Sequence, residues 1–333
     1  MRPRVLFAVA AAAALTLTAC SSGDTGGSSD TGADTGSAAG ASVDFVTIVA
    51  GGTSGPYYQI GATMAQVLKD ELGADSSVQA TGASVENITL LTTGKAEIAF
   101  AMGDATRQAV EGTGPFDGKE GLSELKAITA LYPNFVQIVT TEQSGIKSVA
   151  DMKGKRIGVG DQNSGVELNA QMILEAHGMS YDDIDEDYLS YSDAIDQMKN
   201  GQVDAAFVTS GLPNSSVMDL VTSHDVVIVP IEGDGMKNLL EKYPFFKDNV
   251  IPGGTYDEED DVPTASIINQ LLVSPDLSDD QVYEITKALF ENLDTIHQAH
   301  QAAKNITLDS IENGLAVDLH PGAVKYFKEK GAL

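Results

Sequence analysis

The 333-residue sequence has one cysteine, no tryptophan and few basic residues. The single cysteine, Cys20, excludes a disulfide within the chain, so the folded part depends on its hydrophobic core. Lysine and arginine total 20 against 48 aspartates and glutamates, and without Arg2 and Arg4 the balance is 18 − 48 = −30. A surface this acidic repels nucleic acid and anionic lipid, so neither is expected as a partner.

Patterns that hold metals or perform catalysis are also scarce. His297 and His300 are spaced i, i+3 on a predicted helix, but no third ligand or H-E-x-x-H pattern accompanies them. The acidic stretches 182–187 and 257–261 lack the spacing of a calcium loop and are interpreted as solvated surface. Serines in G-x-S-like surroundings do not complete the G-x-S-x-G pattern. No enzymatic activity, metal or cofactor is predicted.

Long hydrophobic runs are missing except near the start of the chain. Val5 to Leu17 is apolar and follows a short basic segment, but it is too short for a permanent transmembrane helix. Leu17-Thr18-Ala19-Cys20 then resembles the bacterial lipobox. We therefore expect residues 1–20 to be a signal peptide and Cys20 to be lipidated as the mature N-terminus. The alternative is a signal peptide with an incidental cysteine.

Residues 21–42 are nearly all Gly, Ser, Thr, Ala and Asp. Such a segment cannot bury enough apolar surface to fold, so it predicts a disordered tether with a reach on the order of 25 Å. The folded part is then expected to be extracytoplasmic, on the outer face of the cell membrane or in the periplasm. Its only membrane contact would be the lipid anchor.

From residue 43 onward, short apolar strands alternate with amphipathic helices. The predicted strands fall into two sets, Val46–Val49, Val78–Ala80, Ile98–Ala101 and Ile128–Leu131, then Val136–Val139, Ile157–Val159, Ala205–Val208 and Val226–Val229. Strands that alternate with helices predict an α/β fold with mainly parallel sheets covered on both faces. Helices are predicted over Ser164–His177, with Ser164 and Glu167 in capping-box spacing, and over Asp279–Ala303.

Four strand-to-helix junctions carry small polar residues. They are Gly51–Tyr58, Thr81–Asn87, Gly160–Val166 and Thr209–Asn214. In open α/β sheets the ligand lies beyond the carboxyl ends of the strands, where helix N-termini favour anions. Two junctions belong to each set of strands, so they can face each other across a cleft. The pattern favours a clamshell that closes around a small solute.

The same segments carry a resemblance to a known family. The matching residues are Gly51-Gly52-Thr53-Ser54-Gly55-Pro56-Tyr57-Tyr58 with Gly61, Thr81-Gly82-Ala83-Ser84-Val85-Glu86-Asn87, Ser148 to Val159, Ser164-Gly165 and His320-Pro321-Gly322-Ala323. The chain resembles the TAXI family, the extracytoplasmic solute receptors of TRAP (tripartite ATP-independent periplasmic) transporters. The resemblance runs from about residue 45 to the C-terminus.

This resemblance implies a type II periplasmic-binding-protein clamshell of two α/β lobes. Residues 43–135 and 268–333 would form lobe 1, and residues 136–267 would form lobe 2. The two crossings are expected near 132–135 and 263–267. The family also implies a partner, the membrane subunits of a TRAP permease driven by an ion gradient, and the receptor is expected to be a monomer.

Carried over by position, the motifs predict the ligand-binding residues. They are Thr53, Ser54, Tyr57, Tyr58, Ser84, Asn87, Asn163, Ser164, Gly165, Val166, Ser210 and Gly211. Each also has an ordinary structural role open to it, because helix caps, turns and cores use the same residue types.

The expected solute is a small carboxylate such as glutamate, glutamine or 2-oxoglutarate, since helix N-termini bind carboxylates without a formal charge. The mature chain has only two arginines; Arg156 is expected at the surface, and Arg107 is a candidate for the cleft wall. An uncharged or zwitterionic solute stays open. Two other functions also stay open: a receptor that presents its ligand to a membrane sensor, and a secreted hydrolase.

Overall fold

The predicted alternation of strands and helices is confirmed in a computed structural model that describes residues 42–119, 122–256 and 258–333. The predicted signal peptide, Cys20 and all of the predicted tether except Ser42 lie outside these residues. Within them, no helix combines the length and apolarity needed to cross a lipid bilayer.

The described strands and helices follow in chain order. The strands are β1 (Phe45–Val49), β2 (Asp75–Gln79), β3 (Ile98–Met102), β4 (Lys126–Thr141), β5 (Arg156–Gly158), β6 (Asp185–Asp187), β7 (Ala205–Ser210), β8 (Val226–Val229), β9 (Lys247–Ile251) and β10 (Val262–Val273). The helices are α1 (Pro56–Leu72), α2 (Ser84–Thr92), α3 (Gly103–Glu111), α4 (Gly165–Ala176), α5 (Tyr191–Lys199), α6 (Ser215–Val221), α7 (Gly233–Lys242), α8 (Asp279–Glu291), α9 (Leu293–His297) and α10 (Pro321–Glu329).

One mixed sheet runs through the fold in the order β2-β1-β3-β10-β4-β7-β5-β6. The β1–β2, β1–β3, β5–β6 and β5–β7 pairs are parallel, as the alternation predicted. The two long strands β4 and β10 are antiparallel to their neighbours and to each other. The fold therefore has a parallel half on each side of a central antiparallel pair.

Strand β4 joins the two predicted strands 128–131 and 136–139 into one, so the first expected crossing lies inside it. The neighbouring strand β10 runs beside β4 at this crossing, where Ser266 pairs with Phe135 and Ile268 pairs with Pro133. β8 pairs with the end of β4 on the edge opposite β7, and β9 pairs with the start of β10 on the edge opposite β4. Two continuous strands thus connect the halves.

Helix α1 illustrates how local sequence sets an element. Pro56 begins the helix, where its fixed φ is favourable and its missing N–H is not needed. Gly73 ends it in the left-handed conformation at φ 69°, with its amide bonded to the Lys69 carbonyl. The predicted apolar face, with Ile60 and Leu68 among its members, is buried against the sheet.

The predicted helix over Asp279–Ala303 is wrong as a single element. Helix α8 ends at Glu291, and α9 starts again at Leu293 and ends at His297. Asn292 separates them because its Nδ2 donates to the Ala288 carbonyl at 2.9 Å, a local bond that competes with helix propagation.

Candidate functional site

Five helices begin around one small, partly open cavity of about 30 Å³. The cavity is lined by residues at or near the N-termini of α1, α2, α3, α4 and α5, by the end of β7 and by Asn134 of β4. Its lining residues are Gly51, Gly52, Gly55, Pro56, Tyr57, Ala83, Met102, Asn134, Val166, Tyr191, Thr209 and Ser210. Each helix start contributes a partial positive charge, so the cavity favours an anionic group although no lysine or arginine lines it.

Tyr57 supplies one wall of the cavity from the first turn of α1. Its ring packs on Phe100 with 4.9 Å between centroids, and its hydroxyl donates to Asn269 Oδ1 at 2.5 Å. Burial, together with the nearby Tyr132, Tyr191 and Asp104 side chains, raises the pKa of Tyr57. The hydroxyl therefore stays neutral and is fixed toward the middle of the sheet.

Ala83, at the N-cap of α2, holds a backbone conformation that is unusual for a residue with a Cβ. Its φ is 74° and its ψ is −142°, a region populated almost only by glycine. Such strain costs about 1–3 kcal/mol and is found most often at ligand sites. The Ala83 N–H donates a hydrogen bond to Thr81 Oγ1 at 3.0 Å, and this bond holds the backbone in the unusual conformation.

The start of α4 fits closely against the ends of β3 and α2. A Cβ added to Gly165 would lie 2.2 Å from Met102 Cε and 2.8 Å from Ser84 Oγ. Ser84 Oγ is itself held, since it accepts the Met102 amide at 3.1 Å. Only glycine at position 165 allows the two halves of the fold to approach this closely.

Asp104 and Asn169 join α3 to α4 beside the cavity. Asn169 Nδ2 donates to Asp104 Oδ2 at 2.6 Å, and both side chains are fully buried. Burial raises the pKa of Asp104 to about 7, although the Ala105 amide, Asn169 and its own amide act in the opposite direction. Within the described residues, Asp104 Oδ1 and Asn169 Oδ1 have no partner that meets standard hydrogen-bond geometry, although the Ala105 and Asp104 amides lie close enough to stabilise the carboxylate.

One further buried hydroxyl lines the cavity. Thr209 is 2% exposed, and within the described residues its Oγ1 has no hydrogen-bond partner. The Tyr132 hydroxyl and Gln270 Nε2 are also unpartnered there, but neither residue lines the cavity; the Tyr132 ring meets Tyr57 edge-on at 6.4 Å. Buried polar atoms are rarely left unpaired, so the Thr209 hydroxyl is a candidate to receive a polar group from outside.

Contacts between the two halves surround the cavity. Ser215 Oγ donates to the Ser54 carbonyl at 2.6 Å, and a Cβ on Gly55 would lie 3.8 Å from the Tyr191 ring. On another side, His300 Nε2 lies 3.2 Å from the Pro213 carbonyl. The cavity therefore lies between apposed surfaces of the two halves rather than within one of them.

Three of the twelve predicted ligand-binding residues line the cavity: Tyr57, Val166 and Ser210. Ser84 and Gly165 lie directly behind its wall, where they contact each other. Gly211 is packed between the Tyr132 ring and Ala302. These residues come from both halves of the sheet.

The other six predicted residues have different surroundings. Asn87 is buried, with its Nδ2 donating to the Ala50 and Phe100 carbonyls. Ser164 caps α4 by accepting the Glu167 amide at 3.0 Å. Thr53 and Asn163 are exposed, Tyr58 is partly buried against the core, and Ser54 offers its carbonyl to Ser215.

No motif in the sequence had marked Asp104, Asn169, Tyr132, Asn134, Thr209 or Tyr191 as site residues. One signal was present: Gly103-Asp104 follows β3 directly, in the same strand–glycine–helix order as the four junctions. Asn134 and Tyr132 lie on the strand that crosses between the halves, and nothing in a single sequence shows which way such side chains point.

A second, larger cavity of about 750 Å³ lies farther along the same seam. Gly103 of α3 and Met172 of α4, which are near Asp104 and Asn169 in the sequence, line it. Arg107, the predicted candidate for the cleft wall, lines this larger cavity, with its NH1 3.7 Å from Glu111 Oε1.

Arg156 is placed as expected, away from both cavities. Its guanidinium is about half exposed and bonds both oxygens of Asp204, at 2.7 and 3.1 Å. It joins the start of β5 to the segment before β7.

Comparisons with known proteins agree with this architecture. A sequence profile of the NMT1-like family matches residues 48–331. Among solved structures, a protein of Bordetella bronchiseptica RB50 is similar, with a TM-score of 0.52, 20% identity, and coverage of 87% of this chain and 89% of that one. PhnD1 of Prochlorococcus marinus MIT 9301, determined with methylphosphonate, has a TM-score of 0.55, 11% identity, and coverage of 87% and 99%. The predicted type II periplasmic-binding-protein fold is confirmed.

Proposed function

The chain belongs to the NMT1-like family, and from this membership and the geometry of the small cavity we propose that it is a receptor that binds a small solute. The observation that carries the proposal is the convergence of five helix N-termini on one small cavity, where the buried Thr209 hydroxyl has no partner among the described residues. A structural core has no use for such an arrangement, because each unpaired group costs about 1–3 kcal/mol.

The proposal includes cleft closure. Lobe 1 is residues 43–135 with 268–333, lobe 2 is residues 136–267, and β4 and β10 are the connections between them. A volume of about 30 Å³ accommodates one or two waters, whereas an amino acid or organic acid needs several times more. Solute entry therefore requires the lobes to separate along the seam that contains Gly165 and Ser215.

The proposed solute carries a carboxylate. The first amides of a helix have no intrahelical partner. In α4, Ser164 Oγ accepts the Glu167 amide, and the amides of Gly165 and Val166 come just before it in the same first turn. The five dipole ends substitute for a basic residue, which explains how an acidic protein can hold an anionic group.

The proposed output is delivery to a membrane importer of the TRAP type, from a lipid anchor at Cys20. This step rests on the motif resemblance given above. Its test is uptake of the identified solute in cells that express the chain with its neighbouring permease: a TRAP system requires an ion gradient, whereas an ATP-driven importer does not stop when that gradient is collapsed.

The binding proposal is tested by a thermal-shift screen of the complete chain against amino acids and small organic acids. A solute at about a hundred times its Kd adds roughly 2.7 kcal/mol to the free energy of unfolding. Uniform failure of the screen, with the protein folded, would contradict the receptor function. Chemical turnover of a stabilising solute would instead indicate an enzyme.

A further inference from the structure

The larger cavity differs from the rest of the protein in the sign of its charge. Arg107, Lys242 and Lys247 line it together with one acidic residue, Glu111, so its lining carries 3 − 1 = +2. The chain without its first two arginines carries 18 − 48 = −30. In a protein with so few basic residues, three around one cavity create a local field that attracts anions.

The cavity lies at a gap along one edge of strand β10. β3 pairs with β10 only as far as Asn269, and β9 pairs with it only as far as Ser266. Residues 267–268 therefore have no neighbouring strand on that edge in the described part of the chain, and both line the cavity. Basic groups flank the gap at its two ends, Arg107 on α3, which follows β3, and Lys247 at the start of β9.

A tight turn supplies an aromatic wall. Helix α7 ends at Lys242, and the Phe246 amide then donates to the Tyr243 carbonyl at 3.0 Å, which closes a turn over residues 243–246. The rings of Tyr243 and Phe245 have centroids 5.8 Å apart, and both residues line the cavity. Both are only partly buried. Neighbouring rings that are partly exposed in a cavity offer a surface for a flat apolar group.

The basic groups of the cavity differ in how they are paired. The Arg107 guanidinium lies 3.7 Å from Glu111 Oε1, and Lys242 Nζ bonds to Glu175 Oε1. Lys247 is exposed and forms no salt bridge with any described residue. One unpaired cation beside two aromatic rings favours a ligand that has a single negative charge and a ring.

We propose that the larger cavity is a second ligand site, for a carboxylate with an aromatic ring system. The carboxylate pairs with Lys247, with Arg107 as the second basic group of the site, and the ring packs on Tyr243 and Phe245. The cavity volume of about 750 Å³ falls within the range of about 300–1,000 Å³ that is usual for small-molecule sites. The second site goes beyond the receptor function and does not depend on it, because no residue lines both cavities.

The test is fluorescence titration of the complete chain with 1-naphthoate and indole-3-acetate. The chain has no tryptophan, so both ligands can be excited beyond the absorption of the protein's tyrosines. Two compounds control for charge: 1-naphthalenemethanol is neutral, and 1-naphthylmethylammonium is a cation. We expect saturable binding of both carboxylates, with 1-naphthoate at least about tenfold tighter than the alcohol and the ammonium weakest. Non-specific binding to so acidic a protein would favour the ammonium, so this order identifies the site.

Lys247→Gln is the matching variant, because it removes the unpaired charge from an exposed position. It should weaken 1-naphthoate at least about fivefold and reduce the dependence of affinity on salt. Lys237→Gln is the control: Lys237 is an exposed lysine of α7 outside the cavity lining, and the change in affinity should be less than about twofold. Phe245→Leu keeps an apolar side chain but removes the ring, and it should weaken 1-naphthoate at least about threefold.

Thr209→Val tests the small cavity in the same titration. It removes the unpartnered hydroxyl there and should leave 1-naphthoate affinity unchanged. The Tm of each variant without ligand verifies folding, and if Phe245→Leu does not fold, Lys247→Gln and the ligand series decide the matter.

Each failure has its own pattern. The second site is overturned if neither carboxylate binds saturably, if the alcohol binds as tightly as 1-naphthoate, or if Lys247→Gln changes nothing. Weakening by Thr209→Val and not by Lys247→Gln would place the aromatic acid in the small cavity and also overturn it, while the receptor function stands. If 1-naphthoate binding depends on Lys247 but every solute in the thermal-shift screen fails, the receptor function falls and the second site stands.

Discussion

Replacement of Asp104 by asparagine should stabilise the unliganded protein at neutral and alkaline pH. The buried carboxyl has a pKa of about 7 against an ordinary value of 3.8, so the folded protein binds this proton more tightly than the unfolded chain does. The stabilising effect of the proton is complete below about pH 4, decreases as the pH rises, and is lost above pH 7. An asparagine never ionises and avoids this loss.

The size of the effect follows from the two pKa values. A difference of about three pKa units corresponds to about 4 kcal/mol, which is a ceiling, because water penetration and relaxation reduce the cost of a buried charge. We expect about 2–4 kcal/mol at pH 8. For a folded part of about 290 residues, the entropy of unfolding is roughly 0.6 kcal/mol per degree, so Tm should rise by about 3–7 °C.

The measurement is the difference in Tm between variant and wild type from pH 4 to pH 8, without ligand. The difference should be largest at pH 8 and small at pH 4, because the protonated acid and the amide are nearly isosteric. Asp234→Asn is the matched control: Gly233-Asp234 begins α7 as Gly103-Asp104 begins α3, but Asp234 is exposed. A gain in Asp104→Asn that does not change with pH, or a loss at pH 8, would show that ionisation of a buried Asp104 carboxyl is not the cause.

Three other substitutions probe the cavity wall. Gly165→Ala places a Cβ against Met102, so the affinity for solute, measured by titration, should fall at least tenfold. The Tm of the unliganded protein should change by less than about 3 °C; a larger fall would indicate a folding defect instead. Ala83→Gly relieves the strained φ. After the entropic cost of glycine is subtracted, the free energy of unfolding measured in urea should rise by about 1 kcal/mol; a decrease would show that the strain is not real. Tyr57→Phe removes the donor to Asn269 and leaves a buried amide oxygen unpaired, so unfolding free energy should fall by about 1–3 kcal/mol, and no change would mean that the bond contributes little.

Much of the fold could be read from the sequence, because its elements depend on local patterns. The apolar spacing of α1, with Pro56 at its start and Gly73 beyond its end, predicts a helix that the structure contains. The short apolar runs that became β1, β3, β5 and β7 are buried strands in the structure. The helix predicted through Asn292 failed because a side-chain bond to Ala288 competes with the backbone, and propensity alone does not reveal that bond.

The residues of the candidate site were only partly predictable from the sequence. The glycine-rich junctions were visible in the sequence, and Tyr57, Val166 and Ser210 reached the cavity as those motifs implied. Thr53 and Asn163 share the motifs but point to solvent, since the direction of a side chain in a turn depends on how the turn packs.

The order of strands and helices, the acidic surface and the polar junctions are properties of neighbouring residues, so they could be predicted from local patterns. The pairing of Asp104 with Asn169, 65 positions away, depends instead on how distant segments pack together. Burial is collective: a carboxyl changes its pKa when such segments exclude water from it, and no local pattern encodes that exclusion.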